Sequence, residues 1–151
     1  MSQPTTLTPY LVVSNAAAAI DFYKTALGAV EQSRHHAPDS DRIMHAHLLI
    51  DGNALMLSDD FSSHMGHKCE TPQALGGSPI TLALEVADAN AIWDKAIGAG
   101  ATVIMPLADQ FWGARYGQIT DPFGHKWSIS QTIAAPSEEE MKEGAAKAFQ
   151  S

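Results

Sequence analysis

The chain has 151 residues, 45% of them apolar and 17% charged; the charged share is below the roughly 25% usual in globular proteins, which argues for a packed core and against wholesale disorder. Seventeen acids against nine bases give a net charge of −8, which on average repels a phosphate backbone and makes nucleic acid a poor partner. No apolar run reaches the about 18–20 residues that cross a bilayer, residues 1–9 lack a secretory pattern, and Cys69, alone, permits neither an internal disulfide nor a thiolate zinc site. The expectation is an acidic, cytoplasmic protein of helices and strands with no membrane partner.

In chain order, residues 6–13 are apolar and β-branched, broken by Pro9, and predict an edge strand. Asn15 can cap a helix on which Ala16, Ala19, Ile20, Tyr23, Ala26 and Leu27 recur at helical spacing and which Gly28 closes. Val30–His36, Ile43–Ile50 and Asn53–Asp59 read as strands, the last two joined by the hairpin pair Asp51-Gly52. Residues 61–77, rich in Ser, Gly, His and Pro, read as a flexible polar loop.

The pattern then restarts. Ile80, Leu82, Leu84 and Val86 alternate with Thr81, Ala83 and Glu85, as in a strand with two distinct faces. Asp88 can cap a helix striped by Ala89, Ile92, Trp93, Ala96 and Ile97 and ended by Gly98 and Gly100. Residues 102–105 predict a strand, and 114–120 and 125–131 a hairpin around Asp121-Pro122-Phe123-Gly124. Both halves therefore read β-α-β-β-β. Matching helix starts (Asn15, Asp88) and ends (Gly28, Gly100) recur at about 72–73 residues, which suggests a duplicated unit. Ser137 with three acids after it opens a final helix over 136–150, rich in alanine and expected to dock on the body or on a partner chain.

Ala19-Ile20-Asp21-Phe22-Tyr23 with Leu27-Gly28-Ala29, and later Asp121-Pro122-Phe123-Gly124-His125, resemble the vicinal oxygen chelate superfamily, also called the glyoxalase/bleomycin-resistance/dioxygenase fold. Pro9-Tyr10-Leu11, Met56-Leu57-Ser58-Asp59, Phe111-Trp112-Gly113 and Gly124-His125-Lys126-Trp127 are similar to its PhnB-like subgroup. The resemblance spans residues 8–131. It implies an α+β fold in which two βαβββ modules form curled mixed sheets around a cavity, commonly in a homodimer. On that reading residues 1–151 are one domain: module one 6–60, loop 61–77, module two 78–131, and the C-terminal helix 136–150.

Metal-dependent members of the superfamily resemble one another in placing His or Glu at one position on each of four strands. Anchored on the helix ends and the Asp-Pro-x-Gly turn, those positions fall on Thr8, Leu57, Thr81 and Ser128, none of which suits a borderline divalent ion. No metal and no cofactor is therefore expected. The alternative is a divalent metal on His45 and His47, which share a strand face. His35 and His36 point to opposite faces, and His64 and His67 flank Cys69 in the loop too loosely for a zinc spacing.

If those four positions face inward, alternation adds Tyr10, Val12, Leu55, Ala83, Glu85 and Ser130 to the lining and puts Leu11, Val13, Met56, Leu82, Leu84, Trp127 and Ile129 under the helices. Such a mixed lining suits a small organic ligand. Glu85 is the candidate catalytic base if apolar walls raise its pKa; the alternative is a solvated strand end. Phe111, Trp112 and Tyr116 offer stacking surface and Arg115 an anion clamp, or the same stretch closes the cavity or a dimer contact. The expected ligand-binding set is thus Tyr10, Leu57, Thr81, Glu85, Phe111, Trp112, Arg115, Tyr116 and Ser128. Three functions fit: metal-independent binding or sequestration of a small molecule, a metal-dependent lyase or dioxygenase or a cofactor-free isomerase, and a ligand-free interaction protein.

Overall fold

The structure, a computed structural model, describes residues 2–150. In chain order it holds β1 (Tyr10–Val13), α1 (Ala16–Leu27), β2 (Val30–His36), β3 (Ile43–Ile50), β4 (Asn53–Asp59), α2 (Pro72–Leu75), β5 (Thr81–Glu85), α3 (Ala89–Gly98), β6 (Thr102–Asp109), β7 (Ala114–Thr120), β8 (Lys126–Thr132) and α4 (Glu138–Ala148). The strands form two four-stranded mixed sheets, β1-β4-β3-β2 and β5-β8-β7-β6, the α+β arrangement expected. In each, the first strand runs parallel to the last strand of its own repeat and the other pairs are antiparallel. The chain divides into two compact units. One holds the residues through Ser78 plus Pro122–Gly124; the other holds Pro79–Asp121 and the residues from His125 onward.

In the first unit α1 starts where Asn15 Oδ1 accepts a hydrogen bond from the Ala18 N–H at 3.1 Å and stops at Gly28, whose N–H returns to the Tyr23 carbonyl. Its whole predicted stripe is buried, with Phe22 added. Leu11, Val13, Ala46, Leu48, Leu55 and Leu57 form the other side of this core, each 6% exposed or less. Burying a side chain of the Leu or Ile class contributes about 1.5–3 kcal/mol, so this one helix face carries much of the unit's stability. The β3–β4 hairpin turns at Asp51 and Gly52 with φ of 46° and 82°, the left-handed pair the dipeptide supplies. The Pro122–Gly124 tip belongs to this core: Phe123 stands edge-on to Phe22 at 6.4 Å.

In the second unit Asp88 Oδ1 caps α3 through the Ala91 N–H at 3.1 Å. Trp127 and Ile129 are buried on the α3 side, as alternation predicts. The closing helix α4 carries a reciprocal cap, Glu140 N–H to Ser137 Oγ and Ser137 N–H to the Glu140 carboxylate, both 3.2 Å. It docks on its own unit. Gly144 meets Phe111 so closely that an added Cβ would stand 2.5 Å from the Phe111 Cβ and 2.7 Å from its ring, so only glycine fits.

Four boundaries differ from the sequence reading. The strand expected over 6–13 begins only at Tyr10: Pro9 has no N–H to pair, and only its carbonyl, which accepts from the Met56 N–H at 3.0 Å, joins the ladder. The 61–77 loop contains a 3₁₀ turn, Ser62–Met65, and the one-turn helix α2, capped by Thr71 with Pro72 at its first position. The strand expected over 102–105 runs on to Asp109. It passes through Pro106 because β6 is an edge strand and tolerates a missing donor, with one register shift between Val103 and Met105 and another, spanning Pro106, between Met105 and Ala108. β8 is displaced by one residue, to Lys126–Thr132.

Candidate ligand cavity

The first unit contains a cavity of about 730 Å³, within the roughly 300–1,000 Å³ typical of small-molecule sites. β1 supplies Tyr10 and Val12, β3 supplies Met44, β4 supplies Ser58 and Asp59 at its end, and the β2–β3 connection adds Ala37, Pro38, Ser40 and Arg42. The remaining wall is the segment after β4: Asp60, Phe61, Ser62, His64, Met65 and Glu70. The polar groups sit among aromatic and thioether surface, which suits an organic molecule with an apolar body.

That wall is fastened rather than loose. The Asp60 carboxylate accepts from the Cys69 thiol, the Ser62 hydroxyl, the Ser62 N–H at 2.9 Å and the Glu70 N–H at 3.2 Å, which close the segment into a strap. These donors, Cys69 foremost and Ser62 next, hold the Asp60 carboxyl far below the usual carboxylate range. The Arg42 guanidinium lies 4.3 Å over the Phe61 ring and donates to the Asp60 carbonyl, pinning the strap to the β2–β3 connection. Asp59 beside it is structural: its buried carboxylate accepts from Ala16 N–H at 2.9 Å and Ile43 N–H at 2.7 Å.

Of the first unit's expected site residues, Tyr10 and Val12 line the cavity and Leu57 does not. Parallel register sets Leu57 beside Leu11 and Met56 beside Tyr10, so Leu57 and Leu55 belong to the α1 core while Met56 and Ser58 share the Tyr10 face. The inward assignment of Leu57 and the outward one of Met56 are thus both reversed, because a slip of one residue exchanges the faces of a strand. Tyr10 also bonds to His45, its hydroxyl 3.1 Å from Nδ1. Arg42, Phe61 and Met65 were not legible: they lie in connections without periodicity, and only an aromatic and a methionine within a polar stretch hint at them.

In the second unit the predicted alternation holds. Thr81, Ala83, Glu85, Ser128 and Ser130 share a face, with Tyr116 opposite Ser130 and Gln118 opposite Ser128. Gln118 Nε2 donates to the Tyr116 hydroxyl at 2.9 Å, and Trp112 stands edge-on to Tyr116 at 5.5 Å and to Phe111 at 5.1 Å. Arg115 lies on the other face, where Asp109 pairs with it at 2.7 Å and raises its pKa, so it is not an open clamp. Glu85 follows the solvated strand-end reading and not that of a buried base. It is exposed, and both the Thr132 hydroxyl and N–H donate to it at 2.8 Å, which lowers its pKa; no apolar wall raises it toward the range of a general base.

The four positions matched to the superfamily's metal ligands do not supply its ligand set. Thr8 precedes β1, the β4 positions that share the Tyr10 face are Met56 and Ser58 rather than Leu57, and Thr81 and Ser128 offer only hydroxyls, so none of these positions carries the His or Glu of the metal-dependent members. Among the described residues no three His, Cys, Asp or Glu side chains group as a metal site; His45 and His47 share a face without such a third partner.

The repeat, the two mixed sheets and the ordered motifs define a family. The sequence model of the Glyoxalase/Bleomycin resistance protein/Dioxygenase superfamily matches residues 5–129, and the chain belongs to that superfamily. It is 47% identical over 136 residues to an uncharacterized protein of Mycobacterium bovis, covering 90% of this chain and 89% of that one. A solved Arabidopsis thaliana structure is similar at 30% identity and a TM-score of 0.64, over 85% of this chain and 99% of that one. A PhnB protein from Bacillus cereus shares the fold at 18% identity and a TM-score of 0.66, over 84% and 99%. No helix among the described residues is long and apolar enough to cross a membrane.

Proposed function

We propose that the chain binds or sequesters a small organic molecule in the first-unit cavity, without a metal. The observation that carries this reading is the cavity itself: open, about 730 Å³, and walled by Tyr10, Val12, Met44, Phe61 and Met65 with Arg42, Asp60 and Glu70 among them. Its openness favours ligand binding over a ligand-free role, in which the protein's own side chains would fill the space. The lowered pKa of Glu85 weighs against the isomerase reading, which needs a base poised near neutrality.

Thermal-shift screening with planar organic cations, neutral aromatics and aromatic carboxylates tests it. A ligand at a hundred times its Kd stabilises the native state by about 2.7 kcal/mol, a rise of several degrees. Phe61→Ala removes an aromatic wall and the seat of Arg42, and is expected to weaken any hit about tenfold, the worth of one aromatic contact. Hits that bind Phe61→Ala and wild type equally, or no hit at all, overturn the cavity as the site.

We also propose that the protein works in the cytoplasm as a homodimer. Its lone cysteine suits a reducing compartment, and edge strand β6 leaves Val103 and Ile104 44% and 46% exposed. Sedimentation should show a dimer, and lysine at both positions should yield a monomer; a wild-type monomer at micromolar concentration refutes the pairing.

A further inference from the structure

The face of the first sheet turned away from α1 concentrates nitrogen and sulfur donors. His45 and His47 of β3, Met56 of β4 and Tyr10 of β1 all project from it, with His47 directly across from Met56 and Met56 directly beside Tyr10. Cross-strand neighbours of this kind hold their Cβ atoms about 4.5–5.5 Å apart, and residues two apart on a strand are about 7 Å apart. Two imidazoles and a thioether can close on one ion over such spans.

Two observations set these residues apart from ordinary strand histidines. The Nε2 atom of His47 is buried and makes no hydrogen bond, an unmet polar group in the interior. His45 is held by its other nitrogen: Nδ1 bonds to the Tyr10 hydroxyl at 3.1 Å, and His35 stacks on the ring at 6.3 Å. Outer partners orient ligating imidazoles in this way, leaving Nε2 to bind.

We propose that His45, His47 and Met56 form a site for a soft monovalent cation, with Cu(I) as the biological ion and Tyr10 as a positioning residue. The donor set decides the class. It contains no carboxylate for a hard cation, and a thioether is a poor ligand for Zn(II) but a good one for Cu(I), which accepts two imidazoles and one sulfur. The chain's net charge of −8 favours approach of any cation. The three proposed ligands are not among the cavity-lining residues; Tyr10 is shared with the cavity, so Met56→Leu, not Tyr10→Phe, separates the two readings.

The test is an anaerobic titration of Cu(I) against a bathocuproine chelator, in protein carrying Cys69→Ser so that the exposed thiol cannot supply the ligand. One equivalent is expected to be retained, with both nitrogen and sulfur scatterers at the copper edge. His45→Ala, His47→Ala and Met56→Leu should each weaken Cu(I) by about tenfold or more, Tyr10→Phe by up to about tenfold, and His67→Ala not at all. Met56→Leu nearly conserves volume and should fold normally, so it decides the matter if a histidine variant does not. It should leave any Zn(II) binding unchanged. Failure to retain one equivalent, or undiminished Cu(I) affinity in Met56→Leu, overturns the site.

Discussion

Replacing Asp59 with alanine is expected to destabilise the protein by about 3–5 kcal/mol, seen as a lower denaturation midpoint at unchanged slope. Its carboxylate is 8% exposed and joins two elements, accepting from Ala16 at the start of α1 and from Ile43 at the start of β3. A buried hydrogen bond to a charged group contributes about 1.5–3 kcal/mol, and here both donors would be left dry, since Ala16 and Ile43 are fully buried. Asp59→Asn keeps the volume and one good acceptor, so it should recover part of the loss. A cost below about 1 kcal/mol for the alanine variant would mean that water reaches both N–H groups.

Leu57→Ala is expected to cost about 2–5 kcal/mol, the range for an aliphatic core residue cut back to a methyl. It should leave the affinity for any cavity ligand unchanged. Phe61→Ala should do the reverse: Phe61 is half-buried on the strap, so its loss should change the melting temperature little and binding considerably. The pair separates the two faces of one strand and its extension. Equal loss of ligand affinity in both variants would place Leu57 at the ligand and refute the face assignment.

That contrast marks where sequence pattern stops being informative. The buried stripe of α1, the Asn15 and Asp88 caps, the Asp51-Gly52 turn and the shared face of Thr81, Ala83, Glu85, Ser128 and Ser130 were legible, because each follows from local periodicity or a single residue's chemistry. The face of Leu57 was not. Ala54, Leu55, Met56 and Leu57 are a continuous apolar run with no alternation, so only its pairing with β1 fixes the register. Glu85 was ambiguous for a similar reason. The Thr132 groups that lower its pKa come from the far end of β8, which no local window sees. The strap is legible only in three dimensions, since Asp60 meets its partners at both ends of a segment that has no period.

One small feature of the fold bears on how the protein is made. The repeat suggests an N-terminal half that could pack as it leaves the ribosome, as N-terminal units generally do. Yet Phe123, which stands against Phe22, is encoded on the far side of almost the entire second repeat. A nascent chain ending before that turn would carry an unfinished aromatic cluster, and closing it is a long-range step of the slow, nonlocal kind. Synthesis of the first unit thus precedes its completion, and a gene cut between the repeats should yield a first half that binds hydrophobic dyes and chaperones until the missing turn is restored.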